Sequence, residues 1–179
     1  GLIVDPGVKL RLTNNNSLRN SWYLKLDGDL DLVNRAQLVQ EANSILDVTS
    51  AGKIERDQQG QSNLFNYNYW SSPVSAPSST ANNAGYTIAN NLKDGTDPDN
   101  QQTIQWTTAQ STVPTSPITL SKYWLFKFQN LSQLYANWTA ITPTSVLQAG
   151  EAYTMKGSGV PAESQNYVFV GKPNNGDIN

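Results

Sequence analysis

Apolar side chains in the first sixty residues come in short alternating runs. Val8, Leu10 and Leu12 alternate with Lys9 and Arg11. Leu24 and Leu26, then Leu30 and Leu32, do the same on either side of Asp27-Gly28-Asp29, and Ile45, Leu46, Val48 and Ile54 flank Thr49-Ser50-Ala51-Gly52. A period of two predicts strands with one buried and one wet face. Gly7, Gly28 and Gly52 recur at spacings of 21 and 24 residues. That spacing predicts the coils of a β-solenoid, in which each rung hides its apolar face by stacking on a neighbour. Arg35 to Leu46 also reads as a helix, since Leu38, Ala42 and Ile45 share a helical face, but Asn43, Ser44 and Val48-Thr49 favour strand.

Beyond Gly60 the pattern changes to aromatic strands between polar loops. In Leu64 to Val74, Phe65, Tyr67 and Tyr69 point one way and Asn66, Asn68 and Trp70 the other. The amide face predicts a polar, functional surface ending at Trp70, against a plainer reading in which loops satisfy the amides of a core strand. Ser121 to Phe128 is apolar on both faces and predicts a central strand with Trp124 in the core. Trp138–Ile141, Ala152–Met155 and Tyr167–Val170 read as further strands separated by Gly and Pro turns. The expected fold is therefore all-β: short solenoid-like strands over residues 1–62, then a β-sandwich or jelly-roll-like module over 63–179. Asp177-Ile178-Asn179 reads as the start of another strand, so the module is expected to be incomplete at that end.

Composition narrows the chemistry. Only 15% of the 179 residues are charged and the formal net charge is −2, so an electrostatic grip on nucleic acid is not expected. Asn, Gln, Ser and Thr fill more than a third of the positions. Without His or Cys, the chain lacks the residues for a serine triad, a zinc site, a facial-triad iron site, a thiol nucleophile or a disulfide in their usual forms. No apolar run reaches the ~18 residues of a membrane-spanning helix, and no membrane insertion is expected.

Four clusters deserve weighing as sites. Asp94, Asp97 and Asp99 concentrate acidic oxygens in one loop and form a candidate calcium site, with a simple turn cluster as the competing reading. Asp27, Asp29 and Asp31 share a strand face, as paired glycosidase carboxylates do, although solvent exposure explains adjacent like charges more simply. Trp70, Trp106 and Tyr69 are candidates for stacking on sugar rings, with burial in the core as the alternative. Three N-glycosylation sequons, at Asn15, Asn130 and Asn137, carry no weight in so Asn- and Ser-rich a chain. No catalytic residue is expected.

Asn68-Tyr69-Trp70-Ser71-Ser72-Pro73-Val74, Gly150-Glu151-Ala152-Tyr153-Thr154-Met155-Lys156-Gly157 and Asn166-Tyr167-Val168-Phe169-Val170-Gly171-Lys172-Pro173-Asn174 resemble large surface proteins of the Bacteroidetes, chiefly flavobacteria, that are exported by the type IX secretion system. The resemblance implies an extracellular or cell-surface location, the type IX machinery as an export partner, and a structural or adhesive module of a longer chain. The alternative is a carbohydrate-binding domain attached to a polysaccharide-degrading enzyme. Either way a surface polysaccharide or other glycan is the expected ligand, calcium the one candidate ion, and no catalytic residues carry over.

Overall fold

The structure, a computed structural model, describes residues 1–78, 80, 83–129 and 137–178. The sequon at Asn130 lies outside them. Among the described residues the chain is all-β apart from one short helix and one 3-10 turn. β1 (Leu2–Val4), β2 (Lys9–Leu12) and β3 (Ser17–Asn20) are followed by β4 (Tyr23–Leu26), β5 (Asp29–Leu32) and β6 (Gln37–Gln40), then by β7 (Ile45–Leu46) and β8 (Ile54–Gln61). β1 to β5 each pair in parallel with the counterpart one turn later: Leu2 with Leu24, Leu10 with Leu30, Leu18 with Leu38, Tyr23 with Ile45, and Leu30 with Ile54. The chain thus winds through three stacked turns. Arg35 to Leu46 contributes strands β6 and β7, not a helix.

Register places like on like. Leu24, Leu26 and Leu30 are fully buried between the stacked ladders, with Val4, Leu46 and Ile54 nearly so. The corners repeat as well. Asn14 and Asn34 both adopt left-handed backbone (φ 60° and 57°), a conformation Asn tolerates better than most residues. At another corner a Cβ on Gly52 would meet the Gly28 carbonyl, and one on Gly28 would meet the carbonyls of Asp5 and Val8. Only glycine allows backbones to stack that closely.

On the outer face of β2, β5 and β8 the polar positions also line up. Arg11, Asp31 and Glu55 occupy one row. Asp31 is only 3% exposed, which corrects the expectation of a solvated acid stripe. It is covered because Arg11 bridges it at 3.4 Å, while Lys9 holds Glu55 at 2.8 Å. Burial, with Glu55 adding its negative charge, pushes the Asp31 carboxyl up to about 6.

β8 is shared. Its second edge pairs antiparallel with β18 (Ser164–Pro173) from Ile54 opposite Gly171 to Gln61 opposite Ser164. The resulting sheet runs β12-β11-β18-β8-β5-β2, with β10 (Val74–Ser75) also on β18; β11 is Leu92–Asp94 and β12 Gln102–Thr103. One continuous sheet therefore crosses residue 62. Lys172 reinforces the join: its ammonium, buried with the rest of the residue, donates to the carbonyls of Ser50, Ala51 and Gly52 at 2.9, 2.5 and 2.6 Å. A four-stranded sheet, β16-β15-β17-β9, packs against this one; β9 is Tyr67–Ser71, β15 Phe126–Gln129, β16 Asn137–Ala140 and β17 Ala152–Lys156. β13 (Gln105–Thr107) and β14 (Thr119–Ser121) pair separately, in parallel, and α1 (Ile88–Asn91) precedes β11.

Ser121 to Phe128 is not one strand. The Ser121 hydroxyl caps a 3-10 turn over Lys122–Trp124 by accepting from the Tyr123 amide, and the strand resumes at Phe126. The turn breaks the two-residue alternation: Leu125 is fully buried while Tyr123, two positions earlier, is 50% exposed.

Two outcomes are expected. Leu30→Ala removes a side chain packed on all sides and should cost about 2–5 kcal/mol in urea unfolding. Because Asp31 is easier to protonate folded than unfolded, its contribution weakens the fold as pH rises from about 4 through 6. Asp31→Asn should therefore melt above the parent at pH 7.5, and the gap should close by pH 4.

Candidate functional site: an aromatic trough on the four-stranded sheet

Alternation along β9 sends Tyr67 and Tyr69 to the outer face and Asn68 and Trp70 to the inner one. The inner face is not the functional amide surface expected from sequence. Asn68 is 6% exposed, and its carboxamide pairs with the Gln61 backbone in both directions, accepting from the amide at 2.8 Å and donating to the carbonyl at 3.0 Å. Asn66 donates to the Gln61 side chain at 2.7 Å. These amides lock β9 over the end of β8, which is the plainer of the two readings.

Trp70 is packed between the sheets. Its ring meets Tyr167 edge-on at 4.8 Å and Phe169 at 5.7 Å. Gly60 makes the seat, since a Cβ there would strike the indole at less than van der Waals distance. Trp106, on β13, is half-buried against the same core. The structure therefore separates the three stacking candidates: Trp70 and Trp106 serve packing, and Tyr69 alone stands well exposed, at 66%.

Around Tyr69 the register assembles a wider site. Tyr69 lies opposite Thr154, and Thr154 opposite Phe126, across β9, β17 and β15. Phe128 faces Trp138 on the next row. The result is a groove of about 300 Å³ lined by Tyr67, Tyr69, Phe126, Trp138 and Thr154. Tyr69 and Trp138 are 6.4 Å apart and tilted by 52°, and Phe128 meets Trp138 edge-on at 5.2 Å. The rings form the two walls of a trough instead of a flat platform. At one end the Lys156 ammonium sits 3.6 Å over the Trp124 ring and 5.2 Å from that of Tyr67, a cation–π clamp that occupies the nearest charge. The lining itself carries no charged side chain. Burial, then the neighbouring Tyr69 and Tyr123, raise the Tyr67 hydroxyl, so it remains a neutral donor and acceptor at ordinary pH.

Phe126, Phe128 and Trp138 are the trough residues that sequence reasoning missed as a group. Their signal was the matched alternation of Tyr67/Tyr69 and Phe126/Phe128. That pattern alone cannot say which face the partner sheet covers.

The acidic loop after β11 does not gather its carboxylates. Asp94 is buried, accepting from Thr96 through one oxygen and from the Ile118 amide, at 2.9 Å, through the other. Asp97 accepts from the Asp99 amide, and Asp99 forms a 2.6 Å ion pair with Arg11. Among the described residues no group of three acidic side chains is placed to hold a metal. The oxygens that calcium would require are turned to separate partners, as in a turn cluster. Nor does any described helix have the length and apolar character to cross a membrane.

No curated protein and no solved structure matches this chain. A family described as a domain of unknown function (DUF8693) matches residues 1–179, so the chain belongs to that family.

Proposed function

We propose that this chain is a non-catalytic adhesive module whose gripping surface is the aromatic trough and whose ligand is a neutral glycan chain. The observation that carries the reading is the set of exposed rings on one face: Tyr69, Phe128 and Trp138 are 66%, 48% and 49% exposed. Contiguous exposed aromatics on a folded domain mark a binding surface more often than chance. Their chemistry matches the apolar faces of sugar rings, and the tyrosine hydroxyls offer hydrogen bonds to the hydroxyls that a sugar presents at its rim. The mutual tilt favours a single flexible chain lying in the trough over the flat surface of a crystalline polysaccharide.

The electrostatics support the same reading. An uncharged lining offers an anionic or cationic polymer little, and it provides none of the paired carboxylates that glycoside cleavage uses. The acids that do cluster, Asp31 and Glu55, are buried on a different sheet and neutralised by Arg11 and Lys9. Such a surface binds weakly per copy and gains strength when many copies engage one polymer. The surface location, and export by the type IX machinery, rest on the three stretches that resemble flavobacterial surface proteins. A carbohydrate-binding domain attached to an enzyme would use the same trough, and differs only in what the rest of its chain does.

Retardation of the folded protein in gels containing neutral polysaccharides tests the trough. Tyr69→Ala and Trp138→Ala should each weaken binding about two- to tenfold, the equivalent of one ring contact. Trp22→Ala, which removes an exposed ring (67%) from the stacked turns, should leave it unchanged. Equal binding by all three variants, or retardation by charged polysaccharides only, would sink the proposal.

A further inference from the structure

Asp94, Thr96 and Gln165 meet where the chain leaves β11 beside the start of β18. The Thr96 hydroxyl donates to Asp94 Oδ1 at 2.7 Å. Gln165 Nε2 lies 2.9 Å from that same hydroxyl oxygen and 3.4 Å from Asp94 Oδ1. A third acceptor, the Asn166 carbonyl, is 2.8 Å from Nε2, so the surrounding oxygens define which end of the carboxamide is nitrogen. On the far side the Ser158 hydroxyl donates to Gln165 Oε1 at 3.5 Å. Asp94 and Gln165 are each 4% exposed and Ser158 1%. The Ile118 amide pins the second Asp94 oxygen, so the carboxylate is held with its free lone pairs toward Thr96.

These are the parts of an acyl transfer. Thr96 supplies a hydroxyl nucleophile, Asp94 the base that receives its proton, Gln165 the acyl carbon, and Ser158 a donor aimed at the oxygen where negative charge develops. Cδ of Gln165 is one bond beyond Nε2. A turn about the soft terminal torsion, whose axis passes through Cδ, swings Nε2 aside and presents the face of the carboxamide to Oγ1, and the preceding torsion closes the rest of the gap to the ~3–3.5 Å at which attack begins.

We propose that Thr96 and Gln165 join in an intramolecular ester. The Thr96 Oγ1 lone pair forms a bond to Gln165 Cδ as the hydroxyl proton passes to Asp94, and the carbonyl electrons move onto Oε1, facing Ser158. The tetrahedral centre collapses by breaking the Cδ–Nε2 bond, and Asp94 returns its proton to that nitrogen. One C–O bond forms, one C–N bond breaks, and one ammonia leaves. Oxidation states are unchanged and no co-reactant is needed. Thr96 is at the surface, which provides ammonia with an exit, while the buried Asp94, Gln165 and Ser158 shield the product from water. The reaction turns over once per molecule, so even slow chemistry completes it.

The cross-link would tie positions 69 residues apart in a chain that has no cysteine. It would do for the loop after β11 what a disulfide does, by removing freedom from the unfolded chain.

Intact-mass spectrometry of the folded protein is the test. The parent should weigh about 17 Da less than its sequence, the mass of the ammonia displaced by the nucleophile. Proteolysis should then yield one peptide containing both Thr96 and Gln165. Thr96→Val, a change at an exposed side chain, should fold with the same circular dichroism and show the full mass. Thr96→Ser keeps the hydroxyl and should recover the deficit, and Asp94→Asn should slow or abolish its appearance. A folded parent that retains its full mass after prolonged incubation at neutral pH overturns the proposal. So does a deficit that persists in Thr96→Val, which would belong to ring closure at Asn175-Gly176.

Discussion

The structure depends on the two edges of β8 being satisfied differently. On one side its backbone continues the parallel ladder begun by β2 and β5; on the other it pairs antiparallel with β18 over eight positions. A buried strand cannot leave one row of amides and carbonyls unpaired without a cost of several hydrogen bonds. The stacked turns therefore require the last long strand of the chain, and that strand requires them. β10 and β11 then add to β18, and the four-stranded sheet gains a floor. Lys172 strengthens the same join by placing its ammonium among the carbonyls of Ser50, Ala51 and Gly52.

Much of this was legible in the order of residues. Leu24, Leu26 and Leu30 announce their ladders by alternation, and Gly28 and Gly52 mark the corner where one backbone passes over another. The all-β character follows from the same signals. What could not be read was which face of an aromatic strand stays wet. Tyr69 and Trp70 are neighbours on β9 with equal claims to burial, and the decision belongs to β18, whose Tyr167 and Phe169 lie nearly a hundred residues away. Gly60 settles it by making room for one indole and nothing larger. Asp31 shows the same limit: alternation marks it as outward-facing, but Arg11 and Lys9 on the adjacent strand convert an outward position into a covered one. The 3-10 turn at Lys122–Trp124 escaped notice because its capping signal, Ser121, sits inside an apolar run that reads equally well as strand.

The trough and the polar cluster at Gln165 occupy opposite sides of one constraint. The central strands of the sheet that carries Tyr69 turn Trp70, Tyr153 and Met155 into the core, so the outer rings on those strands are held by backbone that cannot shift without opening it. Rings fixed in this way lose little freedom when a ligand arrives, which favours affinity from few contacts. The near absence of charge on the trough has a corollary: selectivity must come from shape and hydroxyl placement, because no long-range field sorts one polymer from another.

The antiparallel pairing of β8 and β18 also fixes how the molecule responds to pulling. Ile54, at the start of β8, lies opposite Gly171, near the end of β18, so tension entering from the coil side and from beyond Pro173 reaches the same end of the ladder. Hydrogen bonds loaded in that geometry open one after another, like a zipper, instead of resisting together in shear. Lys172 stands at the loaded end, and the first rupture has to extract its ammonium from three oxygens before any tooth of the zipper can part.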